Sequence, residues 1–175
     1  QSGNSDNIFG IGIHDGKLII QDNSLLDYDN ARSHSLSIQA SDGCNTTTTS
    51  ATINIIDVNN NPVAVNDSIS INENETAEQT SAASGILSND IDSDGDSITL
   101  ESFRTGPESG SGDYGIIDFS REGIYGSLTL YGDGTYHYVA DLAAADALAA
   151  GVTVNDPYTY LVSDGRGGDT GEINF

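Results

Sequence analysis

Apolar and polar residues alternate in many short runs, and turn-forming residues separate these runs along the whole chain. Alternation with a period of two places the apolar side chains on one face of a β-strand. Asp-Gly pairs between such runs, as in residues 14–16 and 131–135, favour tight hairpin turns. The pattern predicts strands at residues 8–13, 17–20, 35–40, 49–56, 63–71, 97–103, 126–131, 135–139, 158–163 and 171–175.

Only one segment favours a helix, the sequence LAAADALAA at residues 142–150, which would make about two turns. Many short strands separated by frequent turn signals are typical of antiparallel sandwiches. We therefore predict an all-β chain that folds as tandem antiparallel β-sandwiches of the immunoglobulin type.

A boundary lies in the segment DVNNNP at residues 57–62, where one alternating run ends and another begins. Pro62 fixes its own φ and restricts Asn61 to extended geometry, so the segment is predicted to be a short, stiff connection. The predicted domains are residues 1–62 and 63–175. Because a sandwich of this kind needs about 100 residues and seven strands, we expect the first domain to be incomplete in this chain.

The charge balance excludes several classes of partner. The chain has 27 acidic and 5 basic residues, and its net charge is −22. Such a chain offers no basic patch for nucleic acid or for an anionic membrane surface. No apolar run reaches the roughly 18 residues that direct membrane insertion needs. A single cysteine, Cys44, allows no intrachain disulfide, and the apolar fraction of 36% predicts thin cores, so a metal is the candidate for additional stabilisation.

The densest acidic segment is DIDSDGD at residues 90–96, in which every second residue is an aspartate: Asp90, Asp92, Asp94 and Asp96. Alternate side chains in an extended or tightly turned loop point the same way, and four carboxylates so close repel one another unless a cation lies among them. Ca²⁺ takes six to eight oxygen ligands, which suits such a loop. A solvated acidic turn is the simpler alternative.

An EF-hand loop is a second alternative for the same segment, since residues 90–101 carry Asp at positions 1, 3 and 5, Gly at 6 and Glu101 at 12. The match fails at position 8, where Ser97 replaces the expected aliphatic residue. The flanking sequences also lack the amphipathic pattern of helices. The composition therefore favours a calcium-binding loop between β-strands.

Three further acidic motifs occur in order before the boundary: LDYD at residues 26–29, ASDG at 40–43 and DVNNNP at 57–62. Together, over about residues 8–62, they resemble a cadherin repeat, with its LDxE-like motif, its AxDxG-like motif and its DxNDNxP linker. Two positions depart from the family pattern, because Asn60 replaces the second linker Asp and Asp29 replaces the motif Glu.

The resemblance implies Ca²⁺ sites at the domain junction. The best-preserved site would bridge the two domains through the Asn59 side chain, the Asn61 carbonyl, Asp92, Asp94 and Asp164. By the same resemblance Asp27, Asp29 and Asp57 would hold a neighbouring site. Asp42 would belong to a junction with a preceding domain.

The second segment carries another set of motifs: GILSND at residues 85–90, DGD at 94–96, GSLTL at 126–130, DGTYHY at 133–138, YTYLVSDG at 158–165 and GG at 167–168. In this order they resemble a VCBS repeat, a bacterial module found in tandem in very large secreted adhesins. The resemblance covers about residues 63–175. It implies an extracellular or cell-surface location and no catalytic residues.

These observations predict a calcium-binding extender segment of a secreted or surface bacterial adhesin, not an enzyme. Its expected partners are neighbouring repeats of the same polypeptide, with surface glycans or a homophilic partner as further candidates. No histidine stands in a zinc-protease spacing.

Two alternative functions remain at this stage. The chain could be a carbohydrate-binding accessory module of a secreted polysaccharide-active enzyme, with Tyr114, Tyr125, Tyr131 and Tyr136 as candidate sugar contacts. Its acidity could instead be the solvated coat of a halophilic protein.

Overall fold

The computed structural model describes residues 4, 7–12 and 14–175, and these are almost entirely strands and turns. The chain divides into two compact units, Gln1–Val58 and Asn59–Phe175. The division falls within the predicted linker. The prediction of an all-β fold is confirmed, and the sheets are consistent with a β-sandwich. No helix in this part of the chain is long and apolar enough to cross a bilayer.

The first unit contains two antiparallel hairpins, formed by β1 (Phe9–Ile11) with β2 (Leu18–Ile20) and by β3 (Ser33–Ser41) with β4 (Thr46–Asn54). Its core is small and consists of the buried side chains Ile8, Phe9 and Leu36. All four strands lie where the alternation predicted them, to within a few residues. Ile13, the last residue of the first predicted strand, lies outside the described residues.

The second unit has a four-stranded sheet and a five-stranded sheet. The smaller sheet has the order β6 (Thr76–Gln79), β11 (Tyr136–Val139), β10 (Ser127–Leu130) and β9 (Arg121–Glu122). The larger sheet has the order β5 (Asp67–Ser68), β13 (Gly168–Asn174), β12 (Pro157–Ser163), β7 (Thr99–Thr105) and β8 (Gly115–Ile116). Neighbouring strands are antiparallel except β5 and β13, which pair in parallel.

Side chains from both sheets form one core in this unit. The alternation along β10 and β11 buries Leu128, Leu130 and Tyr138, while the intervening residues face outward. Tyr138 stacks on Phe175 with ring centroids 4.0 Å apart. The core is completed from the larger sheet and its neighbours by Ile86, Leu100, Phe103, Tyr158, Tyr160, Val162 and Ile173.

A buried carboxylate, that of Asp156, ties the start of β12 to the smaller sheet. Its two oxygens accept backbone N–H bonds from Ile124, Tyr125 and Gly126 at 2.8 to 3.1 Å. The Tyr138 hydroxyl donates a further bond of 2.9 Å. A buried carboxylate is costly unless it is hydrogen-bonded, and these donors satisfy it. Pro157 follows directly and begins β12, an interior strand of the larger sheet.

Three details differ from the sequence prediction. The predicted strand 63–71 forms only at Asp67–Ser68, while Val63 makes an isolated bridge with Ile91. The predicted two-turn helix is a single turn, α1 (Ala143–Asp146), and its N-cap residue Leu142 makes no side-chain hydrogen bond to the first N–H groups. The short strands β6, β8 and β9 carry too few apolar residues for their alternation to stand out.

Candidate metal centre

The bridge between Val63 and Ile91 places the start of the second unit beside the acidic segment of residues 90–96, called the acidic loop below. Val63 N donates to Ile91 O at 2.7 Å, and Ile91 N donates to Val63 O at 3.0 Å. Because the pairing is antiparallel, residues before Val63 run beside residues after Ile91. Residues 59–61 are thereby placed next to residues 92–96.

The acidic loop folds back on itself around one carboxylate, that of Asp92. Its Oδ1 accepts the N–H groups of Asp94 at 2.9 Å and of Asp96 at 3.1 Å. Gly95 permits this turn because its φ is +78°, a left-handed conformation that other residues rarely adopt. Asp92, Asp94 and Asp96 are half-buried, and each offers one carboxylate oxygen, all within 4.8 Å of one another.

The second oxygen of Asp92 has an unusual position. Oδ2 is buried and has no hydrogen-bond partner among the described residues. A buried carboxylate oxygen without a partner costs free energy that a hydrogen bond or a metal ion would recover.

Asn60 connects the linker to this loop. Its backbone N–H donates to Asp94 Oδ2 at 2.6 Å, and its side-chain amide donates to Asp94 Oδ1 at 3.0 Å. An asparagine at this position therefore orients Asp94, whereas an aspartate would repel it.

The turn between β12 and β13 contributes a fourth carboxylate, Asp164. Its Oδ1 accepts the N–H groups of Arg166 and Gly167, both at 2.6 Å, and its Oδ2 accepts the Asn59 amide at 2.7 Å. The Gly167 N–H, followed by the Asn59 amide and the Arg166 N–H, lowers the pKa of Asp164 to about 2. This carboxylate is therefore ionised at neutral pH.

Arg166 connects the acidic loop to Asn59. Its Nη1 donates to Asp96 Oδ2 at 2.6 Å and to Asn59 Oδ1 at 2.9 Å. The acidic loop, the linker residue Asn59 and the turn at Asp164 therefore form one connected set of oxygens within the second unit.

This donor set fits a hard divalent cation. The carboxylates of Asp92, Asp94 and Asp96 offer oxygens within 4.8 Å of one another, and oxygen ligands of this kind suit Ca²⁺. Asp164 and the Asn59 amide oxygen belong to the same hydrogen-bond network. The buried Asp92 Oδ2 needs a partner, and the clustered negative charges repel one another. A cation among these side chains would give Asp92 Oδ2 a partner and would reduce the repulsion between the carboxylates.

Comparison with known proteins identifies the family. The model of the family described as "Bacterial cadherin-like domain" matches residues 59–174. The chain belongs to the bacterial cadherin-like domain family. Cadherin-like domains are adhesion-related modules of extracellular type, and membership indicates a structural role.

One relative is a fly protein, the Fat-like cadherin-related tumor suppressor homolog of Drosophila melanogaster. It is 33% identical over 94 residues, which are 53% of this chain but only 2% of that protein. The chain thus spans a very small part of this relative.

Two solved cadherin structures resemble the fold. The protocadherin GammaB4 extracellular domain aligns with 99% of this chain and 26% of its own at 14% identity, with a TM-score of 0.50. The human desmocollin-1 ectodomain aligns with 99% of this chain and 32% of its own at 14% identity, with a TM-score of 0.42.

The family match lies over the second unit, residues 59–174. The cadherin-like resemblance of residues 8–62 stays a prediction. Nothing in these comparisons supports the resemblance of residues 63–175 to a VCBS repeat. Many motif positions that suggested it are turn residues and core positions of the sandwich, which any similar fold needs.

The first unit of this cadherin-like chain holds four of the other predicted ligands, Asp27, Asp29, Asp42 and Asp57. Asp29 and Asp57 each offer a carboxylate oxygen, and these two atoms lie within 4.8 Å of each other. Asp27 accepts the Asp29 N–H at 2.9 Å and the side-chain amide of Asn30. Asp42 instead closes the β3–β4 hairpin by accepting two backbone N–H groups of residues 44 and 45, and these bonds lower its pKa.

Asp90 is not part of the group formed by Asp92, Asp94 and Asp96. Its Oδ1 accepts the Val65 N–H at 2.7 Å and lies 3.5 Å from the Tyr160 hydroxyl. Its Oδ2 is buried and has no hydrogen-bond partner within residues 4, 7–12 and 14–175. Burial is the main cause that raises the pKa of Asp90. Asn61 lies against the β12–β13 turn, where its amide donates to Gly168 O at 3.3 Å.

Sequence reasoning missed two residues of the centre, Asn60 and Arg166. Asn60 was noted only as a departure from the linker motif, although its amide suits the role of orienting a carboxylate. Arg166 lies between two of the sequence motifs, residues 158–165 and 167–168, and belongs to neither. With 5 basic residues against 27 acidic ones, every basic residue of the sequence is a candidate partner for a carboxylate.

Two of the four tyrosines that suggested sugar binding, Tyr136 and Tyr114, make contacts within the second unit. Tyr136 packs in the core at 9% exposure, against Phe175. Tyr114 lies over the guanidinium of the buried Arg104, at 5.5 Å from its ring centroid. These positions give Tyr136 and Tyr114 structural contacts.

Proposed function

We propose that the chain is a calcium-binding structural module of a secreted or surface-attached bacterial protein, and that its Ca²⁺ site lies at the linker end of the second unit. The observation that carries this proposal is the group of Asp92, Asp94 and Asp96. Their oxygens converge within 4.8 Å, and the buried Asp92 Oδ2 has no hydrogen-bond partner in the part of the chain that the structure describes.

The proposed role of the ion is mechanical. Asn59 and Asn60 begin the second unit, and both already contact carboxylates of the centre. An ion bound there would hold the first residues of the unit in place and so restrict the direction in which the preceding chain leaves it. In an array of repeats this restriction would stiffen the polypeptide, so its main partners would be neighbouring repeats.

The affinity should match an extracellular location. Extracellular calcium modules bind with Kd values of about 10⁻⁴ to 10⁻³ M, close to external calcium concentrations. A ligand that binds only the folded state also raises stability, and above its Kd the gain grows with the logarithm of its concentration. Adhesion to another surface is part of the proposal because the family is adhesion-related.

The first prediction concerns calcium binding in solution. Calorimetric titration of the full chain should give saturable Ca²⁺ binding, and Ca²⁺ should raise the melting temperature above its value in EDTA. Replacing two carboxylates of the loop, as Asp92→Asn with Asp94→Asn, should weaken binding at least about tenfold because Ca²⁺ depends on ligand charge.

A matched control removes two carboxylates elsewhere. Asp113 and Asp141 lie exposed outside the centre, so Asp113→Asn with Asp141→Asn changes net charge equally and should leave the Ca²⁺ affinity unchanged. Equal stabilisation of the parent by K⁺ or Na⁺ would instead support an acidic solvation coat. Absence of Ca²⁺ binding in the parent would refute the calcium site.

A further inference from the structure

We propose that Arg166 is a built-in counter-cation of this centre, which competes with Ca²⁺ for shared oxygens and thereby sets the calcium affinity. The inference rests on the proposed function and names what regulates its site. It concerns Asp96 Oδ2 and Asn59 Oδ1, the two oxygens that the guanidinium contacts.

The distribution of positive charge singles out Arg166. All five basic residues lie in the described part of the chain, and four of them are engaged elsewhere. Their contacts are Lys17 with Asp15, Arg32 with the Tyr28 ring, Arg104 with backbone carbonyls of its own loop and Arg121 with the Phe103 ring. Arg166 is therefore the basic side chain that reaches the carboxylates of the centre.

Hydrogen bonds within the β12–β13 turn hold the backbone of Arg166 next to the carboxylates of the centre. Asp164 Oδ1 holds the backbone N–H groups of Arg166 and Gly167, and the Ser163 hydroxyl accepts the Gly165 N–H at 3.0 Å. Gly165 has a φ of +87°, which gives the turn its left-handed residue. The backbone of Arg166 is thus fixed within the ligand set, and its side chain extends to Asp96.

The pair that Arg166 forms is weak enough to be replaced. Its side chain is 64% exposed and that of Asp96 is 36% exposed. Ion pairs at such exposure contribute little because solvent screens them. A dication that takes the Asp96 and Asn59 oxygens gains stronger electrostatic attraction and repels the guanidinium into solvent.

The consequence is a lowered affinity for Ca²⁺ and a partly neutralised centre when calcium is scarce. Ca²⁺ must displace the guanidinium and then bind near a positive charge, and both effects oppose binding. Given the usual strength of exposed pairs, removing Arg166 should tighten Ca²⁺ binding roughly two- to tenfold. A purely supporting role predicts the opposite sign, because Asn59 would lose the group that orients its oxygen.

The experiment is calorimetric titration of the full chain with Ca²⁺ at low ionic strength, for the parent, Arg166→Gln and Arg166→Lys. Lys17→Gln is the matched control, because it removes one exposed positive charge from the first unit. Arg166→Gln should bind about two- to tenfold more tightly than the parent. Arg166→Lys should lie between the two, since it keeps the charge but not the guanidinium fork, and Lys17→Gln should match the parent.

The outcomes distinguish failure of the Arg166 competition from failure of the proposed calcium site. If the parent binds Ca²⁺ and Arg166→Gln binds with equal or lower affinity, the competition is refuted while the calcium site stands. Tightening by Lys17→Gln as large as that by Arg166→Gln would also refute it, because the effect would then be general electrostatics. If neither the parent nor Arg166→Gln binds Ca²⁺, the calcium site itself is refuted.

Discussion

Single carboxylates in this chain behave differently because their surroundings differ. Backbone N–H groups lower the pKa of Asp164 to about 2, whereas burial and the nearby Asp90 raise the pKa of Asp67 to about 6. Asp156 is buried under three N–H donors and a tyrosine hydroxyl. Aspartates that look equivalent in sequence thus have different roles: Asp164 is a candidate metal ligand, Asp67 has a pKa of about 6, and Asp156 is a buried hydrogen-bond acceptor in the core.

The raised pKa of Asp67 predicts a pH dependence of stability. Between about pH 4 and 6 the folded state keeps a proton on Asp67 that the unfolded state has lost, so stability falls as pH rises through this window. Above about pH 6 both states are ionised at this group, and its penalty stays constant. In EDTA, Asp67→Asn should therefore gain stability relative to the parent from pH 4 to 6 and keep the gain above it.

Denaturant unfolding at a series of pH values measures this difference. Asp113→Asn is the control, because Asp113 is exposed in a loop and its replacement should leave the pH profile of the parent unchanged. A difference between Asp67→Asn and the parent that does not vary with pH would contradict the assignment.

At the scale of secondary-structure elements, the short segment of residues 82–88 packs against the β10–β11 hairpin. Residues 82–84 and 86–88 form two 3-10 turns, with Gly85 between them. Ile86 N donates to Gly134 O at 2.9 Å, at the tip of the β10–β11 hairpin, and Ile86 is buried. Gly85 lies directly against the Gly134 carbonyl, so this contact requires a residue without a side chain.

Replacing Gly85 by alanine should destabilise the second unit. The added Cβ would overlap the Gly134 carbonyl oxygen, a backbone atom that moves only with the hairpin. Overpacking of this kind costs about 1–3 kcal/mol, which chemical denaturation resolves. Gly132→Ala in the same hairpin is the control, since its Cβ would meet only the end of the Ile117 side chain at 3.3 Å. Equal losses for both variants would disprove the steric explanation.

At the scale of the whole molecule, the charge of −22 opposes compaction through self-repulsion. Calcium bound by the proposed centre would lower this charge and restrain residues 59 and 60. We therefore predict that Ca²⁺ reduces the radius of gyration of the full chain relative to EDTA. Small-angle X-ray scattering measures this change.

The scattering experiment needs the variant that lacks two loop carboxylates. Asp92→Asn with Asp94→Asn should give the same curve with and without Ca²⁺, because its centre no longer binds the ion. Superposable curves for the parent in Ca²⁺ and EDTA would show that the ion does not restrain the chain.

Local sequence was sufficient for the strands whose alternation is strong. β10 and β11 were predicted from LTL and YHY, and their buried faces are those that the period of two requires. Short strands such as β8 and β9 were not predicted, because two residues carry no period. Their pairing with β7 and β10 depends on partners distant in the chain.

The sequence by itself determined that the chain is all-β, acidic and rich in carboxylates spaced for hard cations, because composition and alternation act over a few residues. Only the tertiary structure decided which carboxylates meet. The bridge from Val63 to Ile91 sets Asn60 beside Asp94, and the β12–β13 turn brings Arg166 to Asp96. These contacts join residues that lie 34 and 70 positions apart, and only sheet pairing brings such distant segments together.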